Sequence, residues 1–239
     1  PMSDKLATIL QAARDHAEQV ILSNVDAWNA AKKWPRDASD KAGAAGLTGL
    51  YAPEEFGGQG LPLSEGIQVY EQLGLGDGAY AFALSMHNIC TFAGCGYGTD
   101  AFKEKWARDL TSGRKLANFA LTEPQSGSDA TNMYSRAVIN DDGTWTISGA
   151  KAWVSLATEA DIYFTVVKTS NEPGHKDMAM IAIPADAPGL SFGPLYDTPS
   201  YNFLPLAEMY MDKVVVDEAN IILPIGQGLQ GSLMAIDIA

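Results

Sequence analysis

Near residue 115 the periodicity of the chain changes, and this change constrains the fold more than any other feature. Before it, apolar residues recur at helical intervals. Leu6, Ile9, Leu10, Ala13, Val20, Ile21, Val25 and Trp28 form one long series, with Ser3 in N-cap position and a stop at Pro35 in KKWPRD. Asp37 or Ser39 can start a short helix, and Ser64 can cap EGIQVYEQLG. AYAFALSMHNICTFA reads as a further helix, and DAFKEKWARDL as another that begins at Asp100 and ends in TSGRK. After residue 115 the period is that of strands. LANFALTE reads as one strand. SRAVINDDGTWTISGAKAWVS reads as a hairpin around Asp142-Gly143. ADIYFTVVKTS, KDMAMIAIPAD and AEMYMDKVVVDEANIIL supply the rest. Helices followed by strands predict an α+β chain, with an all-α domain ahead of a β domain. From Gly228, LQGSLMAIDIA turns helical again, and a further helical part is expected to continue from it.

Composition and charge exclude several function classes. The net charge of −13, without a Lys/Arg-rich run, lacks the basic footprint that nucleic-acid binding requires. No apolar window reaches the ~18 residues of a membrane span. The start, PMSDKLATIL, has no basic stretch leading into an apolar core, so no secretory signal is expected. Cys90 and Cys95 match neither a zinc pattern nor a disulfide framework, which predicts reduced thiols and a cytoplasmic location. His16, His87 and His175 are far apart, and no metal site is expected from them. GGQGLPLS is not a dinucleotide fingerprint, because no strand precedes it.

The segment ALTEPQSGSDA, residues 120–130, sets a strand-like start against a hydroxyl-rich turn containing Gly127. Such a turn can be an ordinary surface loop, or it can lay N–H groups and hydroxyls against a phosphate or a flat heterocycle. Taken singly, Thr122 is a strand residue, residues 126–129 are a turn, and Trp153 is a core aromatic.

ALTEPQSGSDA, followed by SGAKAWVS, resembles the central signature of the acyl-CoA dehydrogenase family. GLTGLYAPEEFGGQGL is similar to that family's N-terminal helical domain, and AEMYMDKVVVDEANII to the last strands of its middle β-barrel. The resemblance runs collinearly through the chain. It implies an N-terminal helical domain over 1–113, a β-barrel over 114–222 and the start of a C-terminal helical domain over 223–239. It implies FAD as cofactor and α,β-dehydrogenation of an acyl-CoA thioester. A carboxylate takes the α proton, and flavin N5 takes the β hydride. Electrons then pass to an electron-transferring flavoprotein, and the protein is a homodimer or homotetramer. Phe119, Leu121, Thr122, Gly127, Ser128, Trp153 and Ser155 stand at flavin-facing positions. Ser128 also stands on the thioester side. Phe82, Met86 and Cys90 are candidates for the acyl wall, with plain core packing as the alternative. The base is expected beyond Ala239, so residues 1–239 alone are expected to be inactive, with Glu123 holding its loop through backbone N–H groups. An oxidase, a dehydrogenase of carrier-bound thioesters and a non-catalytic module are the alternatives on this scaffold. Two departures stand out: Asn132 replaces a very small residue, and SYNFLPLAE (200–208) has Asn202 where the family pattern has Arg.

Overall fold

A computed structural model describes residues 3–172 and 174–237. Among the described residues six α-helices precede the strands: α1 Asp4–His16, α2 Val25–Ala31, α3 Arg36–Ala44, α4 Leu63–Gly76, α5 Gly78–Thr91 and α6 Asp100–Thr111. Ser3 caps α1 by accepting the Leu6 N–H at 3.2 Å. The long first series is not one helix. It widens into a π-turn over Ala17–Ile21, resumes as α2, and ends at Ala31 with Lys32 in a left-handed conformation (φ 50°). Helix α3 starts one residue ahead of Asp37 because the Pro35 carbonyl accepts the Ala38 and Ser39 N–H groups. Ser39 is thereby interior, and its hydroxyl accepts from the Trp34 indole at 3.0 Å. Helix α4 likewise starts behind Pro62, one residue before Ser64. Helix α6 begins at Asp100, as expected, and Thr99 is its N-cap.

Eight strands follow among the described residues: β1 Ala117–Ala120, β2 Arg136–Ile139, β3 Trp145–Ser155, β4 Ile162–Lys168, β5 Met178–Pro184, β6 Leu190–Phe192, β7 Leu206–Val216 and β8 Ile221–Leu223. Helix α7 covers Gly228–Ile236. The expected hairpin is present as β2–β3, with Gly143 at φ 83° in its turn. The three-residue β6 is too short to show a sequence period. The sheet order is β6-β7-β3-β2-β4-β5-β8, and β1 lies parallel to β4. The helical N-terminal part followed by an eight-stranded sheet is the α+β architecture expected from the sequence.

The sheet separates two layers of core. Every residue of β4 is buried. Tyr163 and Val167 face one cluster, shared with Ile181, Ile183 and the N-terminal helices. Ile162, Phe164 and Val166 face a second, shared with Met180, Phe102 of α6 and Leu229 of α7. A strand covered on both faces reads as a continuous apolar run, as IYFTVV does. His87 ties α5 to the start of the sheet. Its Nδ1 accepts the Ala117 N–H at 3.0 Å, and its Nε2 donates to the Leu110 carbonyl at 3.0 Å. Among the described residues no helix is long and apolar enough to cross a membrane, and no group of three or more His, Cys, Asp or Glu could hold a metal ion.

Candidate functional site

The turn after β1 is organised by Glu123. Its backbone exchanges two hydrogen bonds with Ser126, at 2.9 and 3.1 Å, and Ser126 Oγ donates to the Asp129 carbonyl at 2.6 Å. The Glu123 carboxylate points inward. Its Oε2 accepts the Tyr134 N–H at 2.5 Å and the Gln125 amide at 2.7 Å. Its Oε1 accepts the Ser135 N–H at 3.0 Å and the Lys151 ammonium at 2.8 Å. Glu123 thus holds the loop through backbone N–H groups, as the sequence suggested. Burial works to raise its pKa, but the Lys151 charge and these hydrogen bonds outweigh it and hold the carboxyl at about 2. A carboxylate held so low is a poor proton acceptor.

Lys151 is the partner that sequence reasoning missed. Both side chains are almost wholly inaccessible, at 0% for Lys151 and 2% for Glu123. Burial lowers the ammonium pKa to about 8, with Glu123 opposing that change. The signal was present in the alternation of β3: Trp145, Ile147, Gly149 and Lys151 share one parity, and the first two face the core. A lysine on that face requires a counter-charge. Gly149 permits the close packing here, because a Cβ at this position would lie 2.4 Å from Ser135 Oγ.

Three bonds tie the two motif segments together. The Ala152 N–H donates to the Thr122 carbonyl at 2.8 Å. Lys151 Nζ donates to the Leu121 carbonyl at 3.2 Å and to Glu123. Next to them β3 carries a bulge against β7, where the register shifts between Lys151 and Val154. Trp153 sits on this bulge at φ 59°, in the left-handed region that a bulky residue adopts at a cost of order 1–3 kcal/mol. Its indole is 62% exposed. It touches Tyr196, with ring centroids 4.6 Å apart. The backbone therefore holds an aromatic face outward, where core packing would have drawn it in.

Beyond the bulge, Ser155 opens onto an apolar cavity of about 370 Å³ bounded by Phe82, Pro199, Tyr201, Leu204 and Leu206. Phe82 and Tyr201 face each other with centroids 6.3 Å apart. Tyr201 also has positive φ, 61°, and its carbonyl accepts the Leu204 N–H at 2.9 Å in a tight turn. Phe203 anchors that turn. It is fully buried, 5.7 Å from the Trp28 ring and 6.0 Å from the Trp34 ring. The stretch that departs from the family pattern thus forms a cavity wall, a role its sequence did not announce.

Of the other residues singled out, Phe119, Leu121 and Thr122 are half-buried, Phe119 and Leu121 packing against the second core cluster, and Gly127 and Ser128 are exposed on the turn. At Gly127 no atom beyond its two chain neighbours lies within 4 Å of where a Cβ would stand. The three wall candidates on α5 separate. Phe82 lines the cavity, and Met86 packs toward Ile89, Ala93 and Ala235. Cys90 is fully buried in the core with Phe102 and Phe164, apart from the residues that line that cavity, and burial pushes its thiol pKa up. Steps of four residues advance about 40° around a helix, so the third position has turned away from the first.

Family profiles match most of the chain. "Acyl-CoA dehydrogenase, N-terminal domain" matches residues 3–114, and "Acyl-CoA dehydrogenase, middle domain" matches residues 118–214. The chain belongs to the acyl-CoA dehydrogenase family. This family member is 30% identical over 225 residues to the mitochondrial isobutyryl-CoA dehydrogenase of Dictyostelium discoideum, an alignment that spans 94% of the present chain and 54% of that protein. It superposes on the butyryl-CoA dehydrogenase of Megasphaera elsdenii with a TM-score of 0.93 at 28% identity, covering 100% of this chain and 63% of that one. The acyl-CoA dehydrogenase of Bacillus anthracis, solved in complex with FAD, shares the fold at 24% identity with a TM-score of 0.88, and 99% of this chain covers 40% of it. The chain thus spans between half and two thirds of the length of the first relatives it matches.

Proposed function

We propose that these residues form the flavin-facing and acyl-facing part of an FAD-dependent acyl-CoA dehydrogenase. The observation that carries this reading is the stitching of ALTEPQSGSDA to SGAKAWVS by the Thr122–Ala152 and Lys151–Glu123 bonds, which sets an outward Trp153 beside an apolar cavity. The residues fit a flavin. Trp153 offers an aromatic wall on a backbone that prevents its retreat, Thr122 and Ser155 offer hydroxyls, and Gly127 leaves room for a phosphate against the backbone. On this reading Phe119, Leu121 and Ser128 complete the flavin contacts. FAD, when bound, supplies the hydride acceptor.

The chain's own residues orient and exclude. Phe82, Tyr201, Leu204 and Leu206 surround an acyl tail with apolar surface and keep water from the reacting carbons. Thr122 and Ser155 would donate hydrogen bonds to a bound flavin, where negative charge develops on reduction. None of the residues bounding the cavity is acidic, and Glu123 is committed to Lys151. The family resemblance implies a base in the C-terminal helical part of the family's chains, and on this reading residues 1–239 alone are inactive in dehydrogenation. On this reading the domains divide at 1–113, 114–222 and 223–239, the full protein is a homodimer or homotetramer, and an electron-transferring flavoprotein accepts the electrons.

The test is anaerobic reduction of the purified full-length protein by a panel of acyl-CoAs. The expected result is bleaching of a bound flavin by at least one thioester, with no bleaching by residues 1–239. A colourless full-length protein that takes up no FAD would overturn the reading.

A further inference from the structure

The buried ion pair is placed oddly for a device that serves stability alone. Two charges removed from water cost several kcal/mol each, and apolar replacements of similar volume are often as stable or more so. The pair nevertheless sits where the two motif segments meet. All three donors of the Lys151 ammonium have partners: Glu123 Oε1 at 2.8 Å, the Leu121 carbonyl at 3.2 Å and the Met133 sulfur at 3.8 Å. Glu123 in turn holds the N–H groups of Tyr134 and Ser135 at the far side of its turn. One ammonium therefore connects three stretches of chain that are otherwise linked by few bonds: residues 121–123, residues 133–135 and β3. A fully satisfied buried network fixes its members more sharply than apolar contacts, because hydrogen bonds are directional and side-chain packing tolerates sliding.

We propose that Lys151 is a positioning residue for the cofactor site. By gripping the Leu121 carbonyl and the Glu123 carboxylate together, it fixes how far Thr122 stands from Trp153 and Ser155 across the bulge. Thr122 lies between the two gripped residues, and Trp153 and Ser155 follow Lys151 by two and four positions, so a loosened grip changes the spacing of the contacts on either side of the flavin. Lys151 itself is fully buried and acts through its neighbours. The inference rests on the flavin reading above and adds to it a residue with no surface of its own.

The experiment uses the full-length protein in wild-type form and as Lys151→Met, Glu123→Gln/Lys151→Met and Leu73→Ala. Leu73 is fully buried in α4, and its truncation destabilises the helical layer without touching the motif segments. Thermal melting, the Kd for FAD, the visible flavin band and the reduction potential are measured on each. The double variant, with no unpaired charge, is expected to melt near wild type, yet to hold FAD at least tenfold more weakly and with a shifted band and potential. Leu73→Ala is expected to melt lower with Kd and potential unchanged. A folded double variant with wild-type Kd and potential overturns the proposal. So does a double variant that fails to fold, since Lys151 would then be a stability element. Failure of the functional reading itself shows earlier and separately, as wild-type protein that binds no FAD.

Discussion

His87 provides a quantitative test of how the helical layer is fastened to the sheet. It is fully buried, and both ring nitrogens are engaged by backbone groups, with the Nδ1 acceptor role fixing the neutral tautomer. Burial holds its pKa down from the ordinary 6.5 to about 4. Below pH 6.5 the unfolded chain takes up a proton that the folded protein refuses. The stability that neutral His87 contributes is therefore intact above pH 6.5 and is lost as pH falls toward 4. Each step of one in pH below 6.5 removes about 1.4 kcal/mol, so the loss at pH 5 is about 2 kcal/mol. His16, also held near 4 by burial with a smaller push from Lys41, loses a similar amount. His87→Gln removes one titration and keeps a donor for Leu110 and an acceptor for Ala117. Thermal melts of the full-length protein at pH 8 and pH 5 should show wild type losing about 4 kcal/mol and the variant about 2. At about 2–4 °C per kcal/mol, the variant's Tm should fall about 4–8 °C less. The same loss in both proteins would refute the assignment of His87 as a neutral tether.

Trp153→Gly relieves a strained φ, so the melting temperature should hold or rise. If Trp153 walls the flavin, FAD should dissociate at least tenfold more readily, and an unchanged Kd would remove Trp153 from the site. Thr122→Val and Ser155→Ala each delete a hydroxyl donor. A lost hydrogen bond to a charged partner, about 1.5–3 kcal/mol, should move the two-electron potential by about 30–60 mV in redox titration. Tyr201→Ala widens the cavity beside Phe82. Its kcat/KM profile across acyl-CoAs of increasing length should shift toward longer or branched chains, whereas a uniform loss across the series would mean that Tyr201 does not size the pocket.

The sequence by itself determined that helices precede strands and where most of those elements lie. Helical and strand periods are local, set by which residues share a face, so the change near residue 115, the Ser3 cap and the Gly143 turn were legible without a structure. The two motif segments were legible too, because their spacing along the chain matches the family. What only the tertiary structure decided are contacts between residues distant in sequence. The parallel pairing of β1 with β4 joins residues 45 positions apart. The partner of Glu123 lies 28 positions away. The fate of the α5 candidates depended on what packed against each turn of that helix, the cavity for Phe82 and the sheet core for Cys90. The wall at Tyr201 exists because Phe203 found Trp28 and Trp34 in the helical layer. Even the outward pose of Trp153 follows from a bulge, which is a mismatch between two strands and cannot be read from one of them. Local pattern sets the conformation of a segment, and burial against distant segments decides which of its side chains are left free to meet a ligand.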